Sequence, residues 1–236
     1  MKKIIIALVL LTSLGFGSEY YAKLNPINTY TVKSAVSGKV IYVNDSIKSN
    51  IAKKSTIVKI DSQVDMIDLK QSQLKLKNLN ETLKIQKGIL KSFQRVSSKS
   101  QFDKDNQKIT ILNIASTISD LKTKIATLQD QIEKKTLHEV KNYIYDIAVE
   151  VGDYVTPGVL LYNSMDLSAG KLEIYIPISD VDTIKSKKIF SDGKETDLTI
   201  SKLYSVADST HISSYKCEII VPTPTKFSNL VKIEFK

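Results

Sequence analysis

The chain has 236 residues, a formal net charge of +9 at pH 7 and one cysteine, Cys217. A single cysteine excludes an internal disulfide and any cysteine-rich metal site. The sequence contains no G-x-S-x-G, Walker, H-E-x-x-H or glycine-rich dinucleotide motif, so we expect no enzyme and no catalytic or metal site. The length allows one or two ordinary domains.

Residues 1–17 have the layout of a secretory signal peptide. Lys2 and Lys3 precede an apolar run over 4–11, and small residues follow up to Gly17, which suits cleavage after that glycine. An uncleaved membrane anchor is the alternative, although the apolar stretch is shorter than the roughly 20 residues that span a bilayer. No lipobox cysteine follows. We therefore expect an exported protein.

Export gives a direct prediction. The periplasmic protein should begin at Ser18, because the preceding glycine is the small residue best placed for signal peptidase. Intact-mass measurement of the purified protein checks this. A chain that begins at Met1 and is recovered from the inner membrane would establish the anchor instead.

Two short strands are predicted before the long helical segment. Residues 35–43 alternate apolar and polar side chains around Gly38, and a second apolar stretch covers 56–60. Alternation of this kind is typical of half-buried strands.

The segment 63–137 shows the heptad pattern of a two-helix hairpin. The first arm has leucines seven residues apart, an apolar residue at two of the intervening positions, and Ser72 and Gln86 at the other two. The stripe residues of the first arm are Leu69, Leu76, Leu79, Leu83, Leu90 and Phe93. Those of the second arm are Ile111, Ile114, Ile118, Leu121, Ile125, Leu128 and Ile132. Each arm of about 33 residues should reach on the order of 50 Å.

Capping signals indicate where the two arms begin. Ser62 with Asp65 fits a capping box at the start of the first arm, in which both side chains bond amides of the first turn. The polar stretch 94–100 predicts the turn between the arms. Within it, two serines, Ser98 and Ser100, have the spacing of a cap for the second arm.

The chain after the hairpin is predicted to be rich in strands. An alternating strand over 142–151 is followed by tight turns at Gly152 and Gly158 and by a strand over 159–162. Further along, the pattern predicts strands at 170–177, 195–205, 211–221 and 231–235 and a short helix at 178–185. Cys217 is expected to be a buried small hydrophobe. His138 and His211 are expected at ordinary polar positions.

These segments resemble a known family. The residues Val36-Ser37-Gly38-Lys39-Val40 and the stretch 151–161, Val-Gly-Asp-Tyr-Val-Thr-Pro-Gly-Val-Leu-Leu, look like the two half-motifs of a split lipoyl-like domain. With the intervening hairpin, the order resembles the periplasmic adaptor, or membrane fusion, proteins of the HlyD and RND-efflux type. The resemblance covers roughly 30–185.

The resemblance implies an α+β fold with a defined domain order. A split lipoyl-like β domain (30–62 and 138–168) would be interrupted by a long antiparallel coiled-coil hairpin (63–137). A small β-barrel domain would follow over 169–236.

The resemblance also implies a function. The protein would be the periplasmic adaptor of a tripartite efflux or secretion system, bridging an inner-membrane transporter of RND or ABC type and a TolC-type outer-membrane channel. It would be associated with the inner membrane through that transporter and would form a homo-oligomer. The alternative from another class is a coiled-coil scaffold of the cell envelope without a transporter.

A carrier role is a third alternative, because true lipoyl and biotinyl domains display a modified lysine. The sequence contains no Met-Lys-Met or Asp-Lys-Ala tripeptide, so no cofactor is expected.

Family adaptors dock their hairpin tip through an Arg, a Leu four residues later and a Ser seven residues after that. When Ser98 takes the Ser position, Lys87 takes the Arg position, and Leu90 lies next to the Leu position. Arg95 lies nearer the tip and would supply a guanidinium. The resemblance thus implies docking by Lys87, Leu90, Arg95 and Ser98, and helix capping with solubility is the alternative.

The hairpin is basic. Residues 64–137 contain 14 Lys/Arg and 8 Asp/Glu. Export and the mixed signs argue against a nucleic acid as the partner. The remaining interpretations are a solvated coiled-coil exterior and a surface that meets an acidic protein or a membrane.

Overall fold

The computed structural model describes residues 18–236, so the predicted signal segment lies outside the described residues. The chain divides into two compact units. The hairpin unit is Tyr30–Ser164, and the terminal unit combines the described residues up to Thr29 with Met165–Lys236.

The described chain is α+β, with two long helices, one short helix and several sheets. The elements are β1 (Glu19–Lys23), β2 (Asn25–Lys33), β3 (Gly38–Val43), β4 (Ser55–Ile60), α1 (Gln63–Arg95), α2 (Gln101–Lys134), β5 (Thr136–Glu139), β6 (Tyr143–Ile147), β7 (Tyr154–Val155), β8 (Leu160–Pro177), α3 (Val181–Ile184), β9 (Ile189–Ser191), β10 (Lys194–Glu195), β11 (Ile200–Leu203), β12 (Ser214–Pro222) and β13 (Leu230–Phe235). Single 3-10 turns lie at Asp45–Ile47 and Ile178–Asp180.

The β part of the hairpin unit is built from the chain on both sides of the helices. Its sheet has the order β5-β4-β3-β7, so strands from before and after the hairpin pair with each other. The two sides contribute equally to one core. The buried side chains are Val40, Ile47, Ala52, Ile57, Val58, Ile60, Ile144, Ile147, Val149, Val155, Leu161 and Tyr162. The two β-rich segments are therefore one folded body into which the hairpin is inserted.

Tight turns connect these strands. Gly152 and Gly158 adopt positive φ, as expected for the predicted turns, and each donates a backbone hydrogen bond to the first half of the sheet. In the first half, where no glycine is present between the strands, Ser49 and Lys54 take the left-handed conformation instead. The turns form there without glycine.

The predicted helical arms are confirmed. α1 has 33 residues and α2 has 34. The stripes of the two helices face each other, and we call their contact the seam. In α2, the seam residues Ile118, Leu121 and Leu128 are buried, and in α1 the polar Ser72 is buried as well. Near the tip the seam becomes polar, since the Gln107 side-chain amide donates to the Gln86 backbone carbonyl at 3.0 Å and to its side-chain oxygen at 2.6 Å.

The predicted capping box at the start of α1 is wrong. Ser62 is the N-cap residue but makes no side-chain hydrogen bond there. Asp61 instead accepts from the Gln63 amide at 2.9 Å, and Asp65 forms a half-buried ion pair with Lys135 at the end of α2. The carboxylate that would have closed the box thus joins the bases of the two helices.

The terminal unit contains strands from both ends of the described chain. One sheet has the order β1-β13-β9-β10, with Ala22 opposite Val231. In the other, β11 pairs with β12 and β12 pairs with β8 over residues 169–177. Ala22 and Leu24 of the segment 18–29 are buried in one core with residues of the later strands. The buried side chains of this core are Ala22, Leu24, Leu172, Ile174, Ile176, Ile184, Ile189, Cys217, Ile219, Val231, Ile233 and Phe235.

Two predicted strands of this unit are shorter than expected. The stretch 195–205 is interrupted between β10 and β11, because Thr196 turns back and its hydroxyl donates to the Ile189 carbonyl at 2.7 Å. The strand expected from His211 begins at Ser214, because Asp208 accepts from the His211 amide at 2.6 Å and closes a turn. Cys217 is fully buried in β12, as predicted, and burial raises the pKa of its thiol to about 12.

A buried carboxylate lies among cations at the edge of the terminal unit. Glu234 is 5% exposed, and its oxygens lie 2.6 Å from the Lys232 ammonium and 2.5 Å from that of Lys236. The hydrogen bonds from Lys232 and Lys236 lower the pKa of Glu234 to about 2. Lys232 also pairs with Glu19 of β1 at 2.6 Å, so the cluster joins the first and last strands.

No helix among the described residues is long and apolar enough to cross a membrane.

Leu121 tests the seam. It is 8% exposed, whereas Leu112 on the same helix is 67% exposed. Leu121→Asp places a carboxylate in the seam and should cost about 3 kcal/mol or more. Leu112→Asp should stay within about 0.5 kcal/mol of wild type. Helicity and thermal unfolding followed by circular dichroism measure both, and equal unfolding curves for the two variants would contradict the seam.

Glu234 gives a pH prediction. Its folded pKa of about 2 lies below the value of about 4.3 of an unfolded glutamate. The ionised side chain therefore stabilises the protein above about pH 4.3, and this contribution is lost as the pH falls toward 2. Glu234→Gln should lower the melting temperature at pH 7, and the difference from wild type should shrink below pH 4. The exposed Glu195→Gln is the control, and a pH-independent difference for Glu234→Gln would refute the assignment.

Candidate functional site

The hairpin tip is a short turn between two well-defined helix ends. α1 ends at Arg95, and Val96 takes an extended conformation that stops the helix. α2 begins after Ser100, whose hydroxyl accepts from the Asp103 amide at 3.1 Å while the Asp103 carboxylate accepts from the Ser100 amide at 3.2 Å. Of the two serines with cap spacing, Ser100 is the one that caps α2, so the Ser98 side chain is free of that role.

The tip is strongly cationic. Residues 82–102 contain five Lys or Arg and no Asp or Glu: Lys84, Lys87, Lys91, Arg95 and Lys99. All five are exposed. The first acids of α2 are engaged locally, since Asp103 completes the cap and Asp105 bonds Gln101 and Lys108. Hydrogen bonds from Gln101 and then Lys108 lower the pKa of Asp105. The charge of the tip is therefore not compensated by its nearest acids.

The structure places the four sequence-predicted docking residues at different depths. Arg95 is the last residue of α1 and Ser98 lies in the turn, and both are exposed. Lys87 is exposed two helical turns below Arg95, about 12 Å along the axis. Leu90 is half-buried and belongs to the seam. Three of the four side chains are thus open to a partner, and Leu90 supports them.

Two further exposed tip residues lie outside the four docking residues predicted from the sequence. Lys91 lies four residues after Lys87 and four before Arg95, so the three cations form one continuous ridge on α1. Phe102 in the first turn of α2 is 74% exposed. The i, i+4 spacing was a usable signal for the ridge. Phe102 lies off the heptad stripe of α2, and that position was a usable signal for its exposure.

Local contacts hold the tip in place. The Lys99 ammonium lies 4.7 Å from the centre of the Phe93 ring, a cation–π distance. About two turns below, the hydrogen-bonded pair Gln86–Gln107 joins α1 to α2. These contacts and the Ser100 cap fix the two helix ends relative to each other.

The two histidines of the described chain make polar and stacking contacts. His138 bonds the Thr56 hydroxyl at 3.0 Å, and His211 stacks on Tyr175 with ring centres 3.4 Å apart beside Asp208. Among residues 18–236 no group of three or more His, Cys, Asp or Glu could hold a metal ion. The tip is the candidate site, and what it offers is binding by exposed cations.

The fold is similar to those of solved membrane fusion and adaptor proteins. The membrane fusion protein Spr0693 from Streptococcus pneumoniae R6 is 11% identical, with a TM-score of 0.73 over 93% of this chain and 98% of that chain. A MacA-MexA chimeric protein that contains the Pseudomonas aeruginosa MexA α-hairpin domain is 16% identical, with a TM-score of 0.70 over 93% and 81%. MacA from Actinobacillus actinomycetemcomitans is 17% identical, with a TM-score of 0.58 over 93% and 78%.

No family model and no curated protein matches the sequence. At these identities the similarity establishes a shared fold, that of membrane fusion and adaptor proteins.

Proposed function

We propose that this chain is the periplasmic adaptor of a tripartite efflux or secretion system and bridges an inner-membrane transporter and a TolC-type outer-membrane channel. The observation that supports this most is the exposed cationic tip at the end of a hairpin of two helices of more than 30 residues. The fold shared with membrane fusion proteins over 93% of the chain supports the same role.

In this proposal the two β bodies have the domain roles of an adaptor. The β part of the hairpin unit is the split lipoyl-like domain, and its single core built from both halves supports that assignment. The terminal unit is the β-barrel domain. No cofactor is attached, because long helices occupy the place of the short hairpin that displays a modified lysine in lipoyl proteins.

The mechanism is mechanical rather than chemical. Several copies pack side by side into a ring, and the tips contact the end of the channel. Arg95 would donate to backbone carbonyls through its planar guanidinium, with Lys87 and Lys91 behind it and Ser98 in the turn. The Ile109 and Leu112 side chains, which are exposed on the outer face of α2, are apolar surface that a neighbouring copy would cover.

The tip residues allow a test that separates docking from folding. Charge reversal at exposed positions should change the stability by no more than about 0.5 kcal/mol. The double variant Lys87→Glu/Arg95→Glu should therefore stay folded and abundant and lose transport. A photocrosslinker at Ser98 should capture the channel in the wild-type background and fail in the double variant.

Lys122→Glu/Lys124→Glu is the matched control, because both lysines are exposed on α2 away from the tip. It should retain transport and crosslinking. Wild-type transport by the Lys87/Arg95 double variant would refute tip docking, and the envelope scaffold would remain as the alternative.

A further inference from the structure

A row of four lysines runs along the side of α1. Lys70, Lys77, Lys84 and Lys91 are each seven residues apart, and all four are exposed. Seven residues are two turns of helix, so the ammonium groups follow one another at about 10.5 Å. The row extends over about 32 Å of the hairpin, most of it below the tip.

The row has no partner within the described chain. Among residues 18–236, none of the four lysines forms an ion pair, whereas Lys108 and Lys134 of α2 each bond an aspartate one turn away. The acid nearest to the row is Glu81, which lies four residues after Lys77 and three before Lys84. It pairs with neither.

Exposed apolar side chains accompany the row at its lower end. Ile67 is 53% and Leu74 is 54% exposed. Ile67 lies three residues before Lys70, and Leu74 lies between Lys70 and Lys77 at the i, i+4 and i, i+3 spacings, so these side chains are neighbours on the helix surface. The α1–α2 seam is on the other side of the helix, because Ile67 precedes the seam residue Leu69 by two positions, about 200°. This surface is therefore a second amphipathic face of α1.

From these observations we infer that this face binds an α-helix of another protein that presents a carboxylate once per heptad beside an apolar stripe. A partner helix packed along α1 has the same seven-residue repeat, so it meets every lysine in turn. The apolar side chains provide contact area that a flexible polyanion would not use. The lysine row together with Ile67 and Leu74 therefore favours an α-helix over a flexible polyanion as the partner.

A second copy of this chain does not supply such a helix. The acids of α2 are Asp103, Asp105, Asp120, Asp130 and Glu133, and those of α1 are Asp65, Asp68 and Glu81. No two acids within either helix are seven residues apart. The partner is therefore a different protein. Two of the row lysines, Lys84 and Lys91, also belong to the tip, but the inference does not depend on the proposed adaptor role.

Synthetic peptides test the surface directly on the full mature protein. The probe, the Glu peptide, is a 28-residue helical peptide with Glu once per heptad beside a Leu stripe. The matched control, the Gln peptide, has Gln in place of every Glu. Fluorescence anisotropy should show binding of the Glu peptide and at least about tenfold weaker binding of the Gln peptide, because four exposed ion pairs are lost. Added salt should weaken binding of the Glu peptide only.

Two variants with equal net charge locate the binding. Replacing the four row lysines with Gln should weaken binding of the Glu peptide at least about tenfold. The control replaces four exposed lysines outside the row with Gln: Lys39, Lys53, Lys122 and Lys124. It should bind like wild type. All six of the lysines on α1 or α2 in these two sets are exposed, and circular dichroism verifies that helicity is unchanged.

A third variant and a second probe separate a helix from a polyanion. Leu74→Gln should weaken binding of the Glu peptide and leave binding of heparin, a flexible polyanion, unchanged. Equal loss in the row variant and the control would overturn the inference, since net charge would then explain binding. Row-dependent binding of heparin without binding of the Glu peptide would overturn it in favour of an anionic polymer.

Discussion

The rest of the hairpin unit depends on the burial of apolar side chains from two distant segments in one core. Six buried residues come from before the helices and six from after them. Neither half has enough apolar surface to fold alone, so burial of both halves together brings the start of α1 and the end of α2 to the same place. The ion pair between Asp65 and Lys135 joins the helices at that point. A hairpin fixed at its base in this way projects its turn away from the β body.

The parts of this architecture that repeat regularly were predictable from sequence. Leucines and isoleucines at heptad spacing specify one buried face, and the structure buries Leu121 and Leu128 where the pattern puts them. Gly152 and Gly158 mark turns because few other residues adopt positive φ at low cost. These signals are local, because they depend only on residues close to one another in the sequence.

The predictions that were wrong concern side chains that could bond more than one partner. Asp65 has the spacing of a cap, but Lys135 lies far along the chain and only the fold brings the two together. The strand expected over 195–205 breaks because Thr196 finds the Ile189 carbonyl across a turn. At the tip, the resemblance implies docking by Leu90, while its heptad position assigns it to the seam, where it is half-buried.

The pairing of β1 with β13 affects how the protein is made. The first described strand pairs with the last described one, so the terminal unit cannot close this sheet until residues 230–235 have been translated. The hairpin unit lies between these strands, and its helices pair through contacts close in sequence, which form fast, whereas joining distant strands is slow. The helical hairpin should therefore form before either β body closes. Until β13 has been translated, the β body of the terminal unit stays open with exposed edge strands, which is the stage at which this chain is most prone to aggregate.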